Sequence, residues 1–158
     1  MTDLRPLLAG EEAVLALNNA HKVETSLLTQ FELDTMAANA WRAWVVGDAD
    51  AVLIAFDQDA AYDSPNFLWF RDRYERFIYI DRVIVAAHAR GHGLARKLYE
   101  ATMADMRGAG HNLFCCEVNS DPPNPGSDAF HSALGFEEVG ASRLEDRSKS
   151  VRYLARRV

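Results

Sequence analysis

The sequence predicts an α/β domain with a mixed central sheet covered by helices on both faces. Two stretches, "RFIYIDRVIVAA" (76–87) and "HNLFCCEVN" (111–119), carry β-branched and aromatic residues at both parities, as strands buried on both faces do. Between them the period becomes 3.6, with Leu94, Leu98 and Ala101 on one side and Arg96, Lys97 and Glu100 on another. The whole chain reads strand, helices, three strands, helix, strand, helix, two strands, an order that builds a layered α/β core. With 158 residues, 49% apolar and 25% charged, it is long enough for one domain over 1–158 and too short for two.

From the start, "DLRPLL" is extended, and "GEEAVLALNNAHKV" places acids at a helix start ahead of Val14, Leu15 and Leu17. "FELDTMAANA" spaces Phe31, Leu33 and Met36 as a second helix. "WRAWVVGDADAVLIAF" is a β-hairpin turning at "GDAD". The connection "YDSPNFLWFRDRYERFIY" (62–79) holds seven of the sixteen Phe, Tyr and Trp residues, so it packs against something, as core, as the wall of an amine pocket or as a subunit contact. The long helix from Gly93 ends near "RGAG", and "DPPNPG" cannot continue the strand before it. "SDAFHSAL" opens a helix capped by Ser127 and ended by Gly135, and "FEEVG" and "VRYLARRV" are the last strands.

The net charge of −6 and a pI near 5.3 argue against nucleic acid as a partner, so any anion site must be local. No apolar run reaches the ~18 residues a membrane helix needs, and Asp3, Arg5, Glu11 and Glu12 stand where a signal-peptide core would lie. Adjacent Cys115 and Cys116 offer neither a disulfide framework nor metal-site spacing; as buried inert thiols they fit a reducing cytoplasm. No metal is expected.

"HARGHGLARK" (88–97) gathers Arg90, Arg96 and Lys97 around two glycines. Cations at a helix start oppose the macrodipole by ~0.3–1 kcal/mol each unless an anion rests there. Unpaired N–H groups and glycines that allow close approach supply such an anion site. A solvated turn joining strand to helix is the alternative, and neither a P-loop nor a full G-x-G-x-x-G is present.

These residues make the chain resemble the GNAT acetyltransferase superfamily. Its acyl-CoA signature R/Q-x-x-G-x-G/A, after a strand ending in valine, matches Arg90, Gly93 and Ala95, with Val85 eight residues before Gly93. A second, N-x-x-(A/S)-x-x-(F/L)-(Y/H)-x-x-x-G-F, matches Asn124, Ser127, Phe130, His131, Gly135 and Phe136. The resemblance implies a single GNAT-like domain that uses acetyl-CoA as co-substrate. The strand of Val83 and Val85 would part from its neighbour to admit the pantetheine arm. Backbone groups of Arg90, Gly91, His92, Gly93, Leu94 and Ala95 would hold the pyrophosphate with Arg96 nearby, and Asn124 and Ser127 would meet the cofactor arm.

Acetyl transfer to an amine needs a base and a proton for the leaving thiolate. His131 stands where the family commonly has a tyrosine acid; a structural histidine is the alternative. Asp81 shares a strand face with Val83 and Val85 and is either a base or amine binder, or the partner of Arg82. Glu24 and Tyr79 are candidate substrate contacts. The expectation is therefore an N-acetyltransferase working by direct transfer in a ternary complex on a small-molecule amine or a peptide N-terminus, with a homodimer compatible. A non-catalytic acyl-CoA sensor is the alternative, and a nucleotide-phosphate binder is disfavoured by the missing P-loop lysine.

Overall fold

The structure, a computed structural model, describes residues 3–21, 25–144 and 148–158. Seven strands form one sheet in the order β1-β2-β3-β4-β5-β7-β6. They are β1 (Leu4–Pro6), β2 (Arg42–Val46), β3 (Ala51–Asp57), β4 (Ile78–Val85), β5 (Leu113–Asp121), β6 (Glu137–Leu144) and β7 (Lys149–Arg157). Neighbours are antiparallel except β4 and β5. The helices are α1 (Glu12–Ala20), α2 (Gln30–Asn39), α3 (Pro65–Arg71), α4 (Leu94–Ala109) and α5 (Pro125–Ala133). Every residue from Ala51 to Phe56 is buried, so β3 is covered on both faces, as the sequence predicts for the central sheet.

Three local outcomes differ from the sequence expectation. Helix α2 starts at Gln30, because Thr29 and Glu32 form a reciprocal capping box: Thr29 Oγ1 accepts from the Glu32 N–H at 3.1 Å and Glu32 Oε1 from the Thr29 N–H at 2.9 Å. The cap of α5 is Asn124 and not Ser127, since Pro125 occupies the first helical position and Asn124 Oδ1 accepts from the Ser127 N–H at 3.2 Å. Within the aromatic connection a helix forms, α3, with Pro65 at its start.

That connection is mostly core. Phe67, Phe70 and Phe77 are fully buried. Trp69 stacks on Tyr153 of β7 at 4.1 Å between centroids. Helix α3 is thereby fastened to the far half of the sheet as well as to β4.

Candidate active site

Strands β4 and β5 pair only at Ile78–Phe114 and Tyr79–Cys115 and then diverge. Beyond Tyr79, β4 carries a bulge opposite Ile54 and Ala55, with Ile80 facing Ala55 and Arg82 facing Ile54. The extra residue bends the strand away from β5. Between the diverging strands lies a cavity of about 140 Å³ lined by Asp81, Val83, Glu117, Asn124, Ser127 and His131, among others. The structure thus brings together candidates that lie up to 50 positions apart in the chain.

Val85 continues from there into a second cavity of about 330 Å³ at the glycine turn, with Arg90, Gly91, Gly93, Leu94, Ala95 and Arg96. Gly91 and Gly93 have φ of +83° and +70°, values that strain any residue with a Cβ. Gly93 is also the N-cap of α4 and has no side chain to satisfy the first N–H groups of the helix. The cations are not idle. Arg96 Nε pairs with Glu100 Oε1 at 2.8 Å, and Arg90 Nη2 lies 3.2 Å from His21 Nε2. His92 bonds the Ala89 carbonyl through Nδ1 at 3.1 Å, and its ring lines a different cavity beside Asp50 and His88. Only its backbone belongs to the turn.

His131 is 4% exposed and both ring nitrogens are engaged. Nδ1 lies 2.8 Å from the Ser127 carbonyl, which can only accept, so Nδ1 carries the hydrogen and Nε2 accepts from the Tyr99 hydroxyl at 2.7 Å. Burial pushes the ring below its ordinary pKa, and it is neutral at neutral pH. Tyr99 of α4 lines the same gap.

A third cavity, about 820 Å³, opens beside the gap, and Asp81, Arg82, Glu117 and Asn119 line both. Asp81 Oδ2 accepts from Arg82 Nε at 2.6 Å, and its Oδ1 accepts from the Tyr62 hydroxyl. Arg82 Nη1 reaches Asn18 Oδ1 at 2.7 Å, and Asn18 Nδ2 donates to the Ser26 carbonyl at 2.8 Å. The Asp81–Arg82 pair therefore clamps α1, the segment before α2 and the Tyr62 connection around the cavity. Glu24, a sequence candidate for substrate contact, lies outside the described residues.

A second acid on the central strands, Glu117 of β5, lines the same cavities as Asp81 and is not marked by the motifs that single out the other site residues. Tyr79, itself 1% exposed, donates to Glu117 Oε2 at 2.7 Å, and Asn66 Nδ2 donates to Oε1 at 3.1 Å. Tyr79 thus reaches the site through Glu117 and does not line the large cavity. Burial pushes the Glu117 carboxyl up to about 7; the Tyr79 bond holds it back, the Asp81 charge raises it, and the Asn66 bond lowers it. A carboxyl of this kind can exchange a proton near neutral pH.

The chain matches the acetyltransferase (GNAT) family over residues 32–136 and belongs to that family. It is similar to the L-2,4-diaminobutyric acid acetyltransferase of Wolinella succinogenes, with 27% identity over 88 residues, 52% of this chain. The match spans about half, 51%, of that curated relative's length. Among solved structures, the ribosomal-protein-S18-alanine N-acetyltransferase from Escherichia coli superposes with a TM-score of 0.74 at 15% identity, covering 100% of this chain and 94% of the other. A chain of the NatC complex bound to Gag peptide and CoA superposes with a TM-score of 0.75 at 14% identity, covering 99% and 98%. These two likenesses establish the fold. Among the described residues, no helix is long and apolar enough to cross a membrane and no group of three or more His, Cys, Asp or Glu could hold a metal ion.

Proposed function

We propose that the protein is an acetyl-CoA-dependent N-acetyltransferase that moves an acetyl group to a primary amine by direct transfer, with Glu117 as the proton acceptor. The observation that carries this reading is the position of Glu117: one carboxyl lines both the β4–β5 gap and the large cavity beside it. The gap and the glycine turn have the shape and the donors to hold acyl-CoA. The N–H groups from Gly91 to Ala95, with the Arg90 and Arg96 guanidiniums nearby, would hold the pyrophosphate, Val83 and Val85 would offer backbone groups to the pantetheine arm, and Asn124 and Ser127 would line its inner end. The N–H of Val83 polarises the thioester carbonyl.

Glu117 takes the proton that the amine loses as the C–N bond forms. Asp81, ion-paired with the Arg82 guanidinium, shapes the cavity instead of serving as the base, whereas both donors to Glu117 are neutral. The leaving sulfur receives its proton from the Tyr99 hydroxyl, which His131 Nε2 holds in place as an acceptor, and the tyrosinate regains a proton from solvent once the products leave.

The acceptor is a small amine. The diaminobutyrate activity of the relative, and a cavity of about 820 Å³ that carries carboxylates and cations together, support this class over a peptide N-terminus. The test is thiol release from acetyl-CoA across a panel of L-2,4-diaminobutyrate, simple diamines and an alanine-leading peptide, with product identified by mass. Glu117→Gln is expected to lower kcat/KM by ~10²–10⁴ and to remove the acidic limb of the pH profile. CoA binding without thiol release for any amine would overturn the enzymatic reading in favour of a sensor.

A further inference from the structure

We infer that Asn66 is a positioning residue for the Glu117 carboxylate, oriented in turn by Tyr153, so that α3 is part of the catalytic apparatus. The inference rests on the reading of Glu117 as the proton acceptor.

Asn66 is the second residue of α3 and is 4% exposed, an uncommon place for an amide unless its hydrogen bonds are met. Both ends are met by side chains. Nδ2 donates to Glu117 Oε1 at 3.1 Å, and Oδ1 accepts from the Tyr153 hydroxyl at 3.0 Å. An amide has two chemically opposite ends of nearly equal size. Turned by half a rotation, it would set its oxygen against the carboxylate and repel it. The Tyr153 hydroxyl, donating to Oδ1, selects the productive orientation. Tyr153 is in turn held flat against Trp69, which comes from the same helix as Asn66. The chain of control runs from Trp69 to Tyr153, to Asn66, to Glu117.

With Tyr79 on Oε2 and Asn66 on Oε1, each carboxylate oxygen has one fixed donor, and the group cannot swing away from the cavity. Other titratable groups do not take over its role near neutral pH. Tyr79, Asp81 and Arg82 face it from β4, Tyr62 from the connection before α3, and Tyr153 from β7. Burial holds the hydroxyls of Tyr62, Tyr79 and Tyr153 above the ordinary tyrosine range, and Arg82 is raised by Asp81 against its own burial. Tyr99 and the Cys116 thiol, from α4 and β5, are also pushed up by burial, and His131 of α5 is pushed down. Asp81 already receives Tyr62 and Arg82.

The test is a ¹³C-NMR titration of the Glu117 carboxyl in the full chain labelled at glutamate, with the signal assigned by its loss in Glu117→Gln. Asn66 stabilises the charged form, so Asn66→Leu is expected to move the midpoint upward by roughly one pH unit. The acidic limb of kcat/KM should move with it, and turnover should recover at high pH. Tyr153→Phe, which keeps the ring stack and frees the amide, should give a smaller shift in the same direction and carries the test should Asn66→Leu fail to fold. A purely structural role would lower turnover evenly and leave the midpoint in place. An unmoved midpoint in a folded Asn66→Leu, or in Tyr153→Phe where that variant stands in, overturns the inference. Failure of the underlying reading looks different: Glu117→Gln would then turn over like wild type.

Discussion

The Trp69 indole lies so tightly on Gly140 of β6 that a Cβ at that glycine would overlap the ring, with Cη2 only 2.7 Å away. Trp69 has nowhere to retreat, because its other contacts include the stack on Tyr153 and the Arg73 guanidinium 4.1 Å from its centroid. Gly140→Ala is therefore expected to cost about 1–3 kcal/mol, read as a lowered Tm, although the residue lies in a strand where alanine is ordinarily tolerated. Wild-type stability would show that the indole is not held there.

The Asp81–Arg82 pair is buried, with side chains 5% and 7% exposed. Arg82→Met leaves a carboxylate without its counter-charge and should cost about 3–5 kcal/mol in denaturant unfolding. The double variant with Asp81→Leu should recover much of that loss. Equal destabilisation of the single and the double variant would mean that the Arg82–Asn18 bond, and not the ion pair, carries the stability.

Gly93→Val should weaken CoA binding by more than tenfold in calorimetry, through the Cβ set where the backbone must approach an anion. It also forces a β-branched residue to φ near +70°, a strain of about 1–2 kcal/mol. Gly110→Val is the control: φ is +78° at the other end of α4, so stability should fall comparably while CoA affinity holds. Unchanged affinity in Gly93→Val would remove the turn from the site.

Glu117 also makes stability depend on pH. Its carboxyl is raised in the folded chain from 4.5 to about 7, so its contribution is fully present below pH 4.5 and is lost as pH rises through 7. The decline amounts to up to about 3 kcal/mol between those limits. Glu117→Gln should flatten that part of the stability curve and gain stability above pH 7. A wild-type slope in the variant would place the titration elsewhere.

The glycine turn, the long helix after it and the two central strands were legible in the sequence because each rests on short-range pattern: period 3.6, unbroken β-branched runs, and glycines at fixed offsets. Helix α3 was not, since seven residues holding Phe67, Trp69 and Phe70 are too few to show a period, and only the Pro65 start signal marks it. Thr29 and Glu32 spell a capping box three residues apart, and the apolar spacing that begins at Phe31 places the helix start one residue late. Glu117 was visible as an acid among apolar neighbours in "CCEVN", the same signal that singled out Asp81. What separates the two is partnership across the fold: Glu117 is held by Tyr79 and Asn66, 38 and 51 positions away, and no local spacing announces that.

Two rungs alone, Ile78–Phe114 and Tyr79–Cys115, join the four-stranded plate to the three-stranded one. Past them the facing backbone edges of both plates stand without a ladder between them. A slender guest threaded along that opening and exchanging hydrogen bonds with the Val83 edge would supply an eighth strand in all but sequence. Filling the slot should therefore stiffen the whole sheet, and amides of β4 and β5 far from the guest should exchange more slowly once it is seated.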